Sequence, residues 1–200
     1  MIYLASTSPR RKALLKKAGV RFRILKPHYH EDSRLKAPPS QIVKIHARKK
    51  AESCVKRVKD GTVIAADTLV YLDGQIIGKP KNIKDAERIL RKLQGRWHAV
   101  YTGVAIFKIQ SGHAVKKDVF HVKTKVRLKK LGPQGIRHYF KKVRPLDKAG
   151  AYAIQSPHGG IVDKAGAYAI QSPHGGIVED VQGSFTNAVG LPIEKVLSKL

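Results

Sequence analysis

The chain has 200 residues, of which 42% are apolar and 27% are charged. This composition suits one folded domain and excludes a wholly disordered chain. No run of about 18 apolar residues exists, so the sequence predicts no membrane-spanning helix and no membrane partner. The net charge of +26 is the unusual value. It attracts polyanions, which include nucleic acid, anionic lipid and nucleotides, and it does not choose among them.

Hydrophobic patterns predict helices and strands in alternation along the chain. The predicted strands cover residues 2–5, 20–25, 62–66, 69–72, 75–77, 97–109, 114–128 and 177–181. The predicted helices run from residue 9 to about 18 and from 40 to about 59, and over 82–93, 135–143 and 193–199. Strands that alternate with helices, together with hairpins, favour an α/β fold in which helices flank a mixed sheet in a single domain.

Several predicted boundaries rest on local chemistry. Ser40 and Asn82 are good N-cap residues, because their side-chain oxygens can accept hydrogen bonds from backbone N–H groups. Asp73-Gly74 lies between two short apolar runs and is a strong signal for a two-residue hairpin turn. Ser111-Gly112 separates the two longest strand patterns of the chain.

Residues 147–162 and 163–178 are identical, and each reads DKAGAYAIQSPHGGIV. Natural structural repeats drift in sequence and need about three copies to bury a shared face. We therefore predict a tandem duplication, with one surplus 16-residue copy within residues 147–178 of a single domain that spans residues 1–200. Without that copy the domain has 184 residues.

Two segments have residues suited to phosphate chemistry. From Ser6 to Arg11, a strand ends in hydroxyl residues and a helix begins with two arginines, which favours anion binding; an ordinary helix start is the alternative. In the second segment, Asp67 and Thr68 follow the strand over residues 62–66. A carboxylate at a strand end can hold Mg²⁺ or act as a base, and a turn or capping aspartate is the alternative.

Other polar residues have two interpretations each. Glu31, in the polar loop 26–39, either serves a site or only relieves repulsion in a basic region. Lys79 follows a strand in Gly-Lys-Pro and either reaches a phosphate or is a solvated loop lysine. The nine histidines show no metal-ligand spacing. Cys54 is expected to be a core thiol, and a single cysteine suits the cytoplasm.

Eight segments agree in order and spacing with one known family. They are LASTSPRRKALL at 4–15, Glu31, ARKKA at 47–51, AADTLV at 65–70, GKP at 78–80, LQGRWHAVYTGVAI at 93–106, DKAGAYAIQ in either copy and GSFTNAVGLP at 183–192. Along nearly its full length, the chain resembles the Maf family of nucleoside triphosphate pyrophosphatases.

The resemblance implies a Maf/ITPase-like fold and hydrolysis between the α- and β-phosphates of a nucleoside triphosphate, assisted by Mg²⁺ or Mn²⁺. It implies that Asp67 is the general base or holds the metal, and that Glu31 is a metal ligand. Such a site makes physical sense, because cations neutralise the charge on the transferred group while carboxylates place metal and water. The positions that match triphosphate-binding residues are Ser6, Arg10, Lys50 and Lys79.

The resemblance also implies a substrate. Members that act on dTTP and UTP carry an arginine after the proline, a threonine after the site aspartate and a glutamine in the AIQ segment. Here these positions are Arg10, Thr68, and Gln155 or Gln171. A glutamine amide can pair with a pyrimidine edge, which agrees with this substrate class.

The duplication disturbs this prediction. Only one of Gln155 and Gln171 can occupy a base pocket, so sixteen residues must bulge out within 147–178. Residues 142–145, Lys-Val-Arg-Pro, also stand where the family usually carries an acidic residue. We expect a folded protein with weakened nucleotide binding. The alternative function is a non-catalytic, basic nucleic-acid-binding protein, and nucleic acid is the less favoured partner. The sequence leaves open whether the protein forms a homodimer.

Overall fold

A computed structural model describes residues 1–32, 34–153 and 176–200. Its strands are β1 (Ile2–Leu4), β2 (Phe22–Ile24), β3 (Gly61–Leu72), β4 (Gln75–Ile77), β5 (Trp97–Gln110), β6 (His113–Leu128) and β7 (Val178–Gln182). Its helices are α1 (Pro9–Lys17), α2 (Pro39–Glu52), α3 (Ile83–Leu93), α4 (Pro133–Lys142), α5 (Phe185–Val189) and α6 (Ile193–Leu197), with short 3₁₀ turns at Val55–Arg57 and Ala149–Ala151.

The seven strands form one mixed sheet. Six of them follow the order β2-β1-β3-β5-β6-β7, and β4 pairs with β3 outside this path. β1 pairs in parallel with both β2 and β3, whereas the β3–β4 and β6–β7 pairs are antiparallel. The predicted α/β fold, a mixed sheet flanked by helices, is therefore confirmed.

The described residues form two compact units. The first unit comprises Met1–Thr68, Tyr101–Lys123 and Thr186–Leu200, and the second comprises Leu69–Val100 and Thr124–Phe185. The first unit has a core of small and aromatic side chains from α2, β3 and β5, which includes Ala47, Ala65 and Phe107. None of the helices in the described part of the chain is long and apolar enough to cross a membrane.

Three of the boundaries that rest on local chemistry are confirmed, whereas Ser40 does not cap α2. Asn82 caps α3, because its Oδ1 accepts a hydrogen bond from Asp85 N at 2.9 Å. Asp73 and Gly74 have φ values of 48° and 77°, as a two-residue hairpin turn between β3 and β4 requires. Ser111 and Gly112 form the turn between β5 and β6 in the same way, with φ values of 48° and 78°.

The predicted strands over 62–66 and 69–72 are one continuous strand, β3, so the prediction that Asp67 ends a strand is wrong. The Asp-Thr pair interrupts the apolar run, but both side chains have hydrogen-bonding partners inside the protein. A buried polar side chain that is satisfied in this way does not force the chain out of a sheet.

The second helix ends earlier than predicted, at Glu52 rather than near residue 59. Ser53 Oγ donates a hydrogen bond to the Lys50 carbonyl at 2.8 Å, and the chain continues as a tight turn over Val55–Arg57. Cys54 and Val58 are still buried, which is why their spacing imitated a longer helix. The helix begins at Pro39, not after Ser40, and α5 was not predicted.

The second unit contains a buried histidine. His98 Nε2 and Tyr152 Oη lie 2.6 Å apart, and their rings meet edge to face. Burial lowers the pKa of His98 from 6.5 to about 4, so the ring is neutral at pH 7.

This histidine makes stability depend on pH. The unfolded chain takes up a proton at His98 near pH 6.5, whereas the folded protein does so only near pH 4. His98 alone is therefore expected to lower the unfolding free energy by about 3 kcal/mol as the pH drops from 7.5 to 4. Urea unfolding at pH 7.5 and pH 4 should show a smaller fall in unfolding free energy for His98→Gln than for the wild type. His113→Gln, which replaces an exposed histidine, should show the same fall as the wild type. An equal fall in wild type and His98→Gln would contradict this assignment.

Candidate active site

Two carboxylates of the first unit meet at one buried lysine. Lys50, in the last turn of α2, places its Nζ 2.7 Å from Asp67 Oδ1 and 2.5 Å from Glu31 Oε1. Asp67 is buried in β3, whereas the Glu31 side chain is 49% exposed in the loop before α2. The structure therefore brings together three predicted site residues that are far apart in the sequence.

The charge on Asp67 is costly where it lies. Burial raises the pKa of Asp67, and the negative charge of Glu31 raises it further, while Lys50 and Arg11 lower it. Because a carboxyl group with a raised pKa accepts a proton more readily near neutral pH, this environment suits a general base. Lys50 offsets part of the cost of placing two carboxylates side by side.

The sequence analysis placed Arg11 in an anion-binding segment but gave it no site role of its own, and the structure shows its contacts with two predicted site residues. Its Nε donates to the Gly190 carbonyl at 2.8 Å, and its two Nη atoms donate to Ser6 Oγ at 3.2 Å and Thr68 Oγ1 at 3.1 Å. Burial lowers the pKa of Arg11, and the charge of Asp67 opposes this shift. The guanidinium group thus links the end of β1 and the middle of β3 to the segment after α5.

The sequence held a signal for this residue. Arg10 and Arg11 are neighbours on α1 and point about 100° apart, so they cannot both face the sheet. Arg11 lies three and four residues before the buried Leu14 and Leu15, which places it on the buried face of the helix. Arg10, the predicted residue, is half-buried at the first turn of α1.

A chain of hydroxyl groups continues from Arg11. Thr68 Oγ1 lies 3.0 Å from Thr102 Oγ1, and Thr102 donates to the Asn187 carbonyl at 2.9 Å. The Thr68 hydroxyl accepts from Arg11, and its own proton has two acceptors within reach, Thr102 Oγ1 and the Gly190 carbonyl at 3.5 Å. The predicted site residue Thr68 is therefore held in a hydrogen-bond network with Arg11, and Thr102 and Asn187 belong to that network although the sequence analysis gave them no role.

The predicted site residues divide into three groups. Six of them lie in the first unit, where Arg11 contacts Ser6 and Thr68, Lys50 contacts Glu31 and Asp67, and Arg10 lies beside Arg11 on α1. Lys79 follows β4 in the second unit. Gln155 and Gln171 lie outside the described residues.

The carboxylates fit a divalent cation only in part. Within residues 1–32, 34–153 and 176–200, no group of three or more histidine, cysteine, aspartate or glutamate side chains is placed to hold a metal ion. Mg²⁺ commonly binds one or two protein carboxylates and takes its other ligands from water and substrate phosphates. Glu31 and Asp67 supply that smaller donor set, so the residues present fit a cation that arrives with a phosphorylated substrate.

Comparison with known proteins shows the family to which the chain belongs. The family model described as Maf-like protein matches residues 1–164 and 158–200 of the chain. The chain belongs to the Maf family. The dTTP/UTP pyrophosphatase of Dictyoglomus thermophilum is 39% identical to this member, over 100% of the chain and 94% of the relative. The dTTP/UTP pyrophosphatase of Thermotoga maritima is 40% identical, over 98% of the chain and 85% of the relative.

Solved structures give a weaker match. The Staphylococcus aureus Ham1 protein is 17% identical to this Maf family member and has a TM-score of 0.42. The match covers 66% of this chain and 74% of that one.

Proposed function

We propose that this Maf family member hydrolyses dTTP and UTP to the nucleoside monophosphate and pyrophosphate. The contact of Glu31 and Asp67 with Lys50 is the observation that carries the proposal, because two carboxylates beside a cation are groups that suit a triphosphate and its metal. The activity in the names of relatives that are 39% and 40% identical over almost the whole chain supports the same substrates.

Asp67 is the proposed general base. It takes a proton from the water that attacks the α-phosphorus, and the bond to the bridging oxygen breaks so that pyrophosphate leaves. The pKa of Asp67, raised by burial, favours this proton transfer. Ser6, Arg10, Lys50 and Lys79 are the proposed triphosphate-binding residues, since cations and hydroxyl donors stabilise the charge that develops on the phosphoryl oxygens.

Glu31 and Asp67 would hold the divalent cation, Mg²⁺ or Mn²⁺. When bound, such a cation neutralises phosphate charge and lowers the pKa of bound water. Thr68 and a glutamine, Gln155 or Gln171, are the proposed base-selecting residues. The position of Thr68, held between Arg11 and Thr102, supports its part of this proposal.

A panel of canonical and modified nucleoside triphosphates with Mg²⁺ tests the function. Pyrophosphate and the monophosphate are expected from dTTP and UTP at higher kcat/KM than from purine triphosphates. Release of inorganic phosphate and the diphosphate would contradict cleavage between the α- and β-phosphates. Equal rates for all bases would contradict the substrate assignment.

The alternative function, nucleic-acid binding, has one structural observation in its favour. In the first unit, lysine ammonium groups lie over aromatic rings: Lys123 is 5.6 Å from the centre of Tyr101, and Lys195 and Lys199 are 5.1 and 5.2 Å from that of Phe120. Basic groups beside aromatic rings suit single-stranded nucleic acid. No turnover of any triphosphate, together with steeply salt-dependent RNA or DNA binding, would favour this function.

The surplus copy is proposed to weaken the enzyme. The two matched segments of the family model overlap at residues 158–164, inside the repeat, which supports an interruption there. Deleting residues 163–178 is expected to raise kcat/KM for dTTP or UTP several-fold, because one register of the site segment then remains. Steady-state kinetics of the deletion variant and the full chain check this, and equal values would contradict it.

The cellular context rests on fewer observations. Cys54 is a buried free thiol. A chain with a single cysteine supports the cytoplasm as the proposed location, since oxidising compartments favour paired cysteines. A homodimer also stays a proposal, and light scattering of the purified protein tests it.

A further inference from the structure

The segment that carries Glu31 is fastened to α2 at two places. Tyr29 Oη lies 2.8 Å from His46 Nδ1, and the two rings are tilted against each other with centres 5.8 Å apart. Two residues later, Glu31 Oε1 lies 2.5 Å from Lys50 Nζ. Both contacts join the same segment to the same helix within the first unit.

The spacing of these contacts matches on the two sides. Residues two apart in an extended chain are separated by about 6.6 Å. Residues four apart in a helix, such as His46 and Lys50, are separated by about 6 Å along the axis and lie on one face. The Tyr29–His46 and Glu31–Lys50 contacts can therefore join the segment that carries Glu31 to α2 at the same time.

Burial makes the Tyr29–His46 contact the firmer of the two. His46 is only 5% exposed, whereas the Glu31 side chain is 49% exposed. Earlier in the segment, His28 N donates to Ser53 Oγ at 3.1 Å, and Arg57 donates to the Lys26 carbonyl at 2.9 Å. These bonds fix where the segment begins its path along α2.

We infer that Tyr29 and His46 are positioning residues that hold Glu31 beside Lys50 and Asp67. The inference rests on the proposed function in one respect, since it takes Glu31 to be a ligand of the substrate-bound cation. Partners that orient metal ligands commonly change metal affinity by about 10- to 100-fold when they are removed.

The test uses Tyr29→Phe, which removes the hydroxyl and keeps the ring. Amide hydrogen exchange at residues 28–32 is expected to be about fivefold faster, the effect of losing one hydrogen bond. With a non-hydrolysable α,β-imido dTTP bound, the Kd for Mn²⁺ measured by electron paramagnetic resonance is expected to rise about tenfold. The kcat/KM for dTTP with Mn²⁺ is expected to fall by a similar factor.

Control variants separate positioning from general damage. Tyr3→Phe removes a hydroxyl elsewhere in the first unit and should leave all three readouts unchanged. His46→Leu should reproduce Tyr29→Phe, whereas His46→Asn keeps an acceptor near the position of Nδ1 and should restore most of the Mn²⁺ affinity. A merely structural role would lower thermal stability in both His46 variants without this rescue.

Each outcome has one meaning. Unchanged exchange at residues 28–32 in Tyr29→Phe would overturn the inference, and so would faster exchange with unchanged Mn²⁺ affinity and turnover. If the wild-type protein hydrolyses no triphosphate while Tyr29→Phe still exchanges faster and binds Mn²⁺ more weakly, the proposed function fails and the positioning role stands.

Discussion

Replacing Asp67 by Asn is expected to lower kcat for dTTP about 10³-fold while leaving the protein folded. Asn has nearly the same shape but cannot accept the proton of the attacking water, and it is a poorer ligand for a divalent cation. Because burial raises the pKa of Asp67, the ionised carboxylate is costly in the wild type. A neutral side chain is therefore expected to leave the melting temperature unchanged or slightly higher, since Lys50 keeps its contact with Glu31.

Asp73→Asn is the matched control for this experiment. Asp73 is another aspartate near β3, in the turn after the strand, where its carboxylate pairs with Arg96 on the surface. Its φ of 48° is one that asparagine adopts readily. Single-turnover and steady-state rates with dTTP should show the loss in Asp67→Asn only. A residual rate within tenfold of wild type would contradict the role of Asp67 as the base.

Local chemistry was enough to predict many elements of the fold. The Asn82 cap and the Asp73-Gly74 turn depend on residues that are adjacent in sequence, so the sequence carries their whole cause. The end of α2 is different, because Cys54 and Val58 are buried by packing whether or not the helix continues. Hydrophobic spacing reports burial, and it cannot tell a helix from a turn that buries the same side chains.

The path of β3 shows a second limit. Asp67 and Thr68 are polar residues in an apolar run, which is the usual signature of a strand end. Their partners, Lys50 and Thr102, come from distant parts of the sequence. No local pattern could show that these partners would satisfy them within the sheet.

The candidate site was predictable mainly through the family resemblance. That resemblance singled out Glu31, Lys50 and Asp67, and the structure places both carboxylates in contact with the lysine. It did not single out Arg11, which helical periodicity with Leu14 and Leu15 could have found. The contact between Tyr29 and His46 was also missed, because it depends on the path of a loop with no regular structure.

The position of the whole site depends on how closely α2 approaches the sheet. Gly103 lies in β5 directly beneath α2, and a methyl group added there would overlap the backbone of Val43 and approach Lys44 N to 2.7 Å. A rigid backbone cannot turn aside as a flexible side chain can. Because α2 also carries Lys50, Gly103 helps set the distance between Lys50 and Asp67.

Gly103→Ala is therefore expected to destabilise the protein by about 3 kcal/mol, the upper part of the range for an overpacked core. For a chain of this length the melting temperature should fall by about 10 °C. The kcat for dTTP should also fall when measured well below the transition, since the helix must shift to admit the methyl group. Gly78→Ala is the control for stability, as no atom lies within 4 Å of its added methyl group. Equal melting temperatures for Gly103→Ala and Gly78→Ala would mean that α2 does not rest on Gly103.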